Sequence, residues 1–251
     1  QLKGSGKTAF SRQGDGRSPL GPVIREYIIS EAMHYLGIPT TRSLSIISTG
    51  EVVKREKIEP GGILARVSAS HIRIGTFEFF RAKKDFDSVK KLADYTIKRH
   101  FSEILSRKNK YKVFLDKIIL TQAKLVAQWM NVGFIHGVMN TDNTSISGQT
   151  IDYGPCAFMN NFDPNTVYSF IDVYGRYSYG NQPKIMLWNL SKFAECISFL
   201  INTNEKKASK IILESLSKFP QLFDKFWING VAEKIGLFQS TKENRKLIEK
   251  F

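Results

Sequence analysis

The sequence predicts an α+β fold with two lobes, a small mixed lobe over residues 1–80 and a mainly helical one over 81–251. Three observations point there. Apolar residues recur at a 3.6-residue period between Pro22 and Gly37, β-branched residues crowd the stretch 42–67, and helical periodicity dominates from about Phe86 onward. With 42% hydrophobic and only 24% charged side chains, the 251 residues bury enough apolar surface to offset their conformational entropy, which excludes wholesale disorder.

Residues 1–18 carry Gly4, Gly6, Gly14 and Gly16 and end in Ser18-Pro19, the composition of a strand end followed by a loop. A helix then runs from Pro22 to Gly37 on Val23, Ile24, Ile28, Met33 and Leu36, stopped by Gly37-Ile38-Pro39. Residues 42–56 read as a hairpin about Thr49-Gly50, with a further strand at Ile63–Val67. A long amphipathic helix spans Tyr111–Phe134 and feeds directly into His136-Gly137. Helices follow around Met186–Ile201 and Ala208–Leu216, and Pro220 breaks the pattern.

The charge balance is 37 Lys+Arg against 23 Asp+Glu, or +14. Nucleic-acid binding would concentrate that excess. Here it is spread over Lys54–Lys57, Lys83–Lys91, Arg107–Lys112 and Lys206–Lys210, between apolar positions, as on solvated helix faces, so no nucleic-acid partner is expected. The two cysteines, Cys156 and Cys196, cannot make a disulfide framework. No apolar run approaches the roughly 18 residues of a membrane span, and no membrane partner is expected. The chain opens on Gln1 and on a strand end, which leads us to expect a fragment or processed product.

Gly6-Lys7-Thr8 has the ending of a phosphate-cradling loop, but the Gly that this motif needs at its start is replaced by Gln1, and the pattern fails. A sharper constellation is His136 to Asn143, followed by Asp152-Tyr153-Gly154. Kinase-like catalytic loops place a His, an Asp base shortly after it and a metal-binding Asn further on, then an Asp-Phe-Gly element beyond a short hairpin. Residues 144–151 suit the hairpin, turning at Ser147-Gly148-Gln149. The amide oxygen of Asn143 and the carboxylate of Asp152 are hard oxygen ligands of the kind Mg²⁺ takes beside phosphates. Val138 occupies the usual base position and accepts no proton, which leaves Asp142 as the nearest base.

Taken singly, Asp142 and Asn143 also fit a capped turn and His136 a satisfied interior side chain. Their order behind a long helix and before Asp-Tyr-Gly favours the chemical reading. Such a site needs a Lys for phosphates and a Glu to hold it, roles that fit Lys3 and Glu26. By spacing alone Glu26 serves equally as a solvent-facing carboxylate near a helix N-terminus. Arg66 and Arg73 form a second cationic pair, suited to phosphate by their paired donors. The sequons at Asn143 and Asn189 are read as coincidental.

Gln1-Leu2-Lys3-Gly4-Ser5-Gly6, Gly14-Asp15-Gly16-Arg17, Arg25-Glu26, Leu36-Gly37-Ile38-Pro39-Thr40-Thr41-Arg42, Ser70–Phe77, Gly133–Asn143 and Ile151–Pro155 together resemble the selenoprotein O family, kinase-like protein adenylyltransferases. The similarity runs from residue 1 to roughly Leu190. It implies a protein-kinase-like two-lobed fold whose N-terminal small lobe is truncated in this sequence, ATP with Mg²⁺ (or Mn²⁺) as cofactors, and ATP bound in an inverted sense so that AMP passes to Ser, Thr or Tyr of a protein partner. It further implies that Lys3 contacts phosphate, Glu26 orients Lys3, and Asp15 and Gly16 touch the nucleotide. Arg66 and Arg73 would hold the distal phosphates, Asp142 would accept the proton, and Asn143 and Asp152 would bind the metal. The expected location is cytoplasmic in a bacterium and mitochondrial in a eukaryote. The runner-up is a pseudokinase remnant that still holds nucleotide.

Overall fold

Local sequence sets the elements, and β4 (Ile58–Val67) organises the first half of the chain. In the computed structural model, which describes residues 1–9, 11, 14–237, 245, 247 and 248, the fold is mixed α and β and about half helical. One edge of β4 carries β1 (Leu2–Lys3) and β2 (Ser18–Pro19), with Lys3 opposite Leu64 and Ser18 opposite Gly62. Its other edge pairs antiparallel with β3 (Arg42–Lys54), from Arg42 opposite Val67 to Lys54 opposite Ile58. The strands therefore turn at 55–57, where the Arg55 amide donates to Lys57 O at 2.9 Å, and not at Thr49-Gly50. Register jumps between Ser48 and Val52, so Thr49-Gly50 is an irregularity inside one long strand, with Gly50 at φ +73°.

α1 (Leu20–Tyr35) lies against this sheet, burying Val23, Glu26, Ser30 and Met33 on a single face. A side chain at Gly62 would sit 3.0 Å from Leu20 Cα, so a glycine there lets the helix start close to β4. The expected helix is present, begins two residues earlier, and ends at Gly37 with φ +73°. Met33 and Ile38 join the same hydrophobic core as the helices that follow.

Helical structure starts at α2 (Ile74–Ala82), ahead of the expected change near Phe86, and continues in α3 (Phe86–His100). The Asp85 side chain caps α3 by accepting from the Ser88 amide at 3.0 Å. α4 (Lys110–Asn131) is the central helix, and β5 (Phe134–Ile135) leaves it to pair with β6 (Ala157–Phe158). α5 (Gln182–Ile201) and α6 (Glu205–Leu216) occupy the expected places. Pro220 does not end the helical pattern. It lies in the first turn of α7 (Phe219–Lys234), where a missing amide hydrogen costs nothing. Phe77, Phe114 and Phe193 meet edge to face at 5.1 and 5.4 Å, and each fully buried aromatic contributes about 1.5–3 kcal/mol.

The stretch 144–151 is not a two-stranded hairpin. Its turn is present, with the Gly148 amide donating to Ser145 O at 3.1 Å, but its arms bridge elsewhere, Thr150 to Thr40 and Ser145 to Arg73. Gly6-Lys7-Thr8 likewise opens no helix.

Candidate active site

Lys3, Glu26, Arg66 and Asp152 come from β1, α1, β4 and the loop after Ile151, and they meet in one ion-pair network. The periodic face of α1 that reaches the sheet includes Glu26, which is why this carboxylate is fully buried and does not face solvent. Its Oε2 accepts from Lys3 Nζ at 2.7 Å and from Arg66 Nη2 at 2.8 Å, while Oε1 takes Arg66 Nε. Asp152 Oδ1 accepts from the same two cations, Lys3 at 2.5 Å and Arg66 at 3.1 Å. A buried carboxylate is tolerated only when paired and hydrogen-bonded in this way.

Burial opposes ionisation of Glu26, but the paired donors of Arg66 and the charge of Lys3 outweigh it and hold the carboxyl below its ordinary range. Asp152 follows the same logic: burial raises it, Lys3 and Arg66 lower it further, and it is ionised at neutral pH. Its backbone sits at φ +67°, in the left-handed region that Asp tolerates better than most residues.

Beside this network lies the loop that carries Asp142 and Asn143, folded as a one-turn 3₁₀ helix over Thr141–Asn143. Asn143 Nδ2 donates to Val138 O at 3.0 Å, which orients the amide and frees Oδ1 to act as an acceptor. The Asp142 carboxylate is pressed against the start of α2, so that a Cβ on Gly75 would fall 2.0 Å from Asp142 Oδ1. Arg73 Nη1 donates to Asp142 O at 2.9 Å, and burial together with the neighbouring Arg66 charge lowers the Arg73 pKa. His136 is fully buried and kept neutral by that burial; its Nε2 donates to Ile151 O at 2.9 Å, tying the loop to the residue before Asp152.

A family description, "Protein adenylyltransferase SelO", matches residues 1–251. The chain belongs to the SelO family. Proteins called "Protein nucleotidyltransferase YdiU" from Brevibacillus brevis (57% identical over 249 residues), Halalkalibacterium halodurans (56% over 250) and Pelagibacter ubique (56% over 248) are similar across 99% of the chain. The SelO chain spans about half the length of these curated relatives, 51% in each case.

Two residues expected near the nucleotide, Asp15 and Gly16, are held by contacts within and around the glycine-rich loop of this SelO chain. The Asp15 carboxylate is forked onto Arg55, at 2.8 and 3.0 Å, and accepts from the Arg17 amide, which pins the glycine-rich loop to the β3–β4 turn and lowers the Asp15 pKa to about 2. Gly16, at φ +70°, packs on Gly6 so closely that a Cβ would meet its carbonyl oxygen at 2.1 Å. Three further participants carry no motif of their own in the sequence. Gln1 Oε1 accepts from both Arg66 (3.2 Å) and Arg73 (2.9 Å), Arg25 donates to Gly154 O at 3.0 Å, and Gly75 makes room for Asp142. A bridging glutamine and a close-contact glycine leave no spacing signal that a single sequence could display.

Among the described residues no three His, Cys, Asp or Glu side chains cluster as a metal cage. Asn143 and Asp152 offer hard oxygens, and only Oδ1 of Asp152 is engaged by protein cations among the described residues, so the donor chemistry fits a Mg²⁺ ion that completes its shell from water or phosphate.

Proposed function

We propose that this chain is the nucleotide-handling part of a protein adenylyltransferase with a kinase-like, two-lobed fold divided near residue 80. It would move AMP from ATP to a Ser, Thr or Tyr hydroxyl of a protein. The observation that carries the proposal is the joint hold of Lys3 and Arg66 on buried Glu26 and on Asp152, which fixes two cations beside a metal-type carboxylate. In this reading Lys3 contacts phosphate, Glu26 orients both Lys3 and Arg66, and Arg66 and Arg73 take the distal phosphates. Asp15 and Gly16 would close over the nucleotide from the glycine-rich loop.

Three cations (Lys3, Arg66, Arg73) face three carboxylates (Glu26, Asp142, Asp152) in the site, so the protein alone leaves a polyphosphate's charge uncompensated. A Mg²⁺ ion on Asn143 and Asp152 would supply that compensation and polarise the phosphoryl oxygens. The acceptor oxygen forms a bond to the α-phosphorus, the bond from that phosphorus to the β-bridging oxygen breaks, and pyrophosphate leaves. Asp142 receives the hydroxyl proton, since Val138 provides no acceptor side chain. Most of the work asked of the other residues is positioning and charge stabilisation.

Incubating the full-length protein with ATP labelled at the α- or the γ-phosphate, with Mg²⁺ or Mn²⁺, tests this. Protein-bound label from the α position alone is expected. Label from the γ position alone means phosphorylation and sinks the proposal, and label from neither leaves a nucleotide-binding module.

A further inference from the structure

Asn189 and Gln182 are fully buried amides on α5, and both are turned onto the backbone of the segment that carries Asp142 and Asn143. They lie seven positions apart, close to two helical turns, so they share one face of the helix. Gln182 holds the start of the segment: its Oε1 accepts from the His136 amide at 3.0 Å and its Nε2 donates to Phe134 O at 2.9 Å. Asn189 holds the far end, where Nδ2 donates to Met139 O at 3.0 Å and to Thr144 Oγ1 at 2.9 Å. The Thr144 hydroxyl in turn donates a hydrogen bond to Asn140 O at 3.1 Å. These contacts bracket Asp142 and Asn143 on both sides.

A primary amide on the inner face of a helix is expensive unless its hydrogen bonds are made, and an apolar side chain of similar size packs there more cheaply. Asn189 Oδ1 has no partner among the described residues, so the value of the side chain lies in its donors. Burial also rules Asn189 out as a glycan acceptor, despite its sequon.

We propose that Asn189, with Gln182, is a positioning residue that sets the loop bearing Asp142 and Asn143 and thereby the metal and proton-acceptor geometry. The catalytic half of this statement rests on the adenylyltransferase reading above; the structural half does not. The outer-shell partners of metal ligands typically contribute about 10–100-fold in affinity or activity.

The test uses the full-length protein and three variants. Asn189→Asp keeps the volume and removes both donors; Thr144→Val removes the hydroxyl between Asn189 and Asn140; Thr144→Ser restores it. Amide hydrogen exchange over residues 139–144 should accelerate by about tenfold or more in Asn189→Asp and Thr144→Val and stay near wild type in Thr144→Ser. AMP transfer should fall by about 10–100-fold in kcat in the first two, with KM for ATP nearly constant and a higher Mg²⁺ concentration needed for half-maximal rate. Exchange at 139–144 that is unchanged in both loss variants, or a Thr144→Ser variant that behaves like Thr144→Val, overturns the proposal. Should Asn189→Asp fail to fold, the Thr144 pair decides alone. Should the wild type transfer no AMP, the functional reading falls while the exchange measurement still decides the clamp.

Discussion

Asp152 and Asp142 differ in what surrounds them, and so should their variants. Asp152 shares Lys3 and Arg66 with Glu26, whereas Asp142 lies at the start of α2 with its carbonyl on Arg73. We expect Asp152→Ala to abolish AMP transfer and Asp142→Ala to leave a measurable remnant, because general-base help is worth about 10²–10⁴-fold. Equal and complete loss in folded variants, measured by α-label incorporation, would count against that ranking. Glu26→Gln should cost about 3–5 kcal/mol of unfolding free energy, since it removes the fully buried carboxylate and leaves Asp152 as the one carboxylate facing both Lys3 and the buried Arg66 guanidinium. The pH dependence has a definite sign. The Glu26 and Asp152 carboxyls are depressed in the folded state, so their stabilisation is complete above the ordinary values of 4.5 and 3.8 and is lost as pH falls below them. Urea titrations between pH 6 and pH 3 should therefore show a steeper loss in wild type than in Glu26→Gln.

Elements were legible where one periodicity ruled them. α1, α4, α5 and α6 each bury a recurring stripe, and that stripe is visible in sequence. The β3–β4 turn is hidden in the sequence because Thr49-Gly50 carries a turn's composition while the ladder continues past it, and α7 is hidden because Pro220 starts a helix as well as it stops one. The site shows the same division. Glu26 could not be told from a surface carboxylate until α1 was laid on the sheet, since its partners stand 23 residues before it, at Lys3, and 40 residues after it, at Arg66. α2 supplies the prediction at this scale. Gly75→Ala should leave the helix formed yet displace Asp142, whose Oδ1 would stand 2.0 Å from the new Cβ, and a shift on that scale costs about 10²-fold in transfer rate. Unchanged kcat in Gly75→Ala would show that the loop yields freely.

Across the whole molecule, the +14 charge has a small share in the site and a large share elsewhere. Lys90, Lys110, Lys112 and Lys192 sit in ion pairs along or between helices, where each pair contributes little. The two thiols are similarly removed from chemistry. Burial raises Cys156 and Cys196 to about 12, against an ordinary 9.0, which leaves on the order of 10³-fold less thiolate at pH 8. Native protein should therefore resist iodoacetamide at both positions, and mass spectrometry should find them modified only after denaturation. Rapid labelling of either in the folded state would show that the core opens.

The left-handed backbone at Asp152 bears on how this site can be dissected. An alanine there removes the carboxylate and also forces a residue without a short polar side chain into a conformation costing roughly 1–2 kcal/mol. Asparagine deletes the charge and tolerates the conformation. Activity lost by Asp152→Asn and Asp152→Ala alike belongs to the missing charge, and stability lost by alanine beyond asparagine belongs to the turn. An alanine scan on its own merges the two into one number.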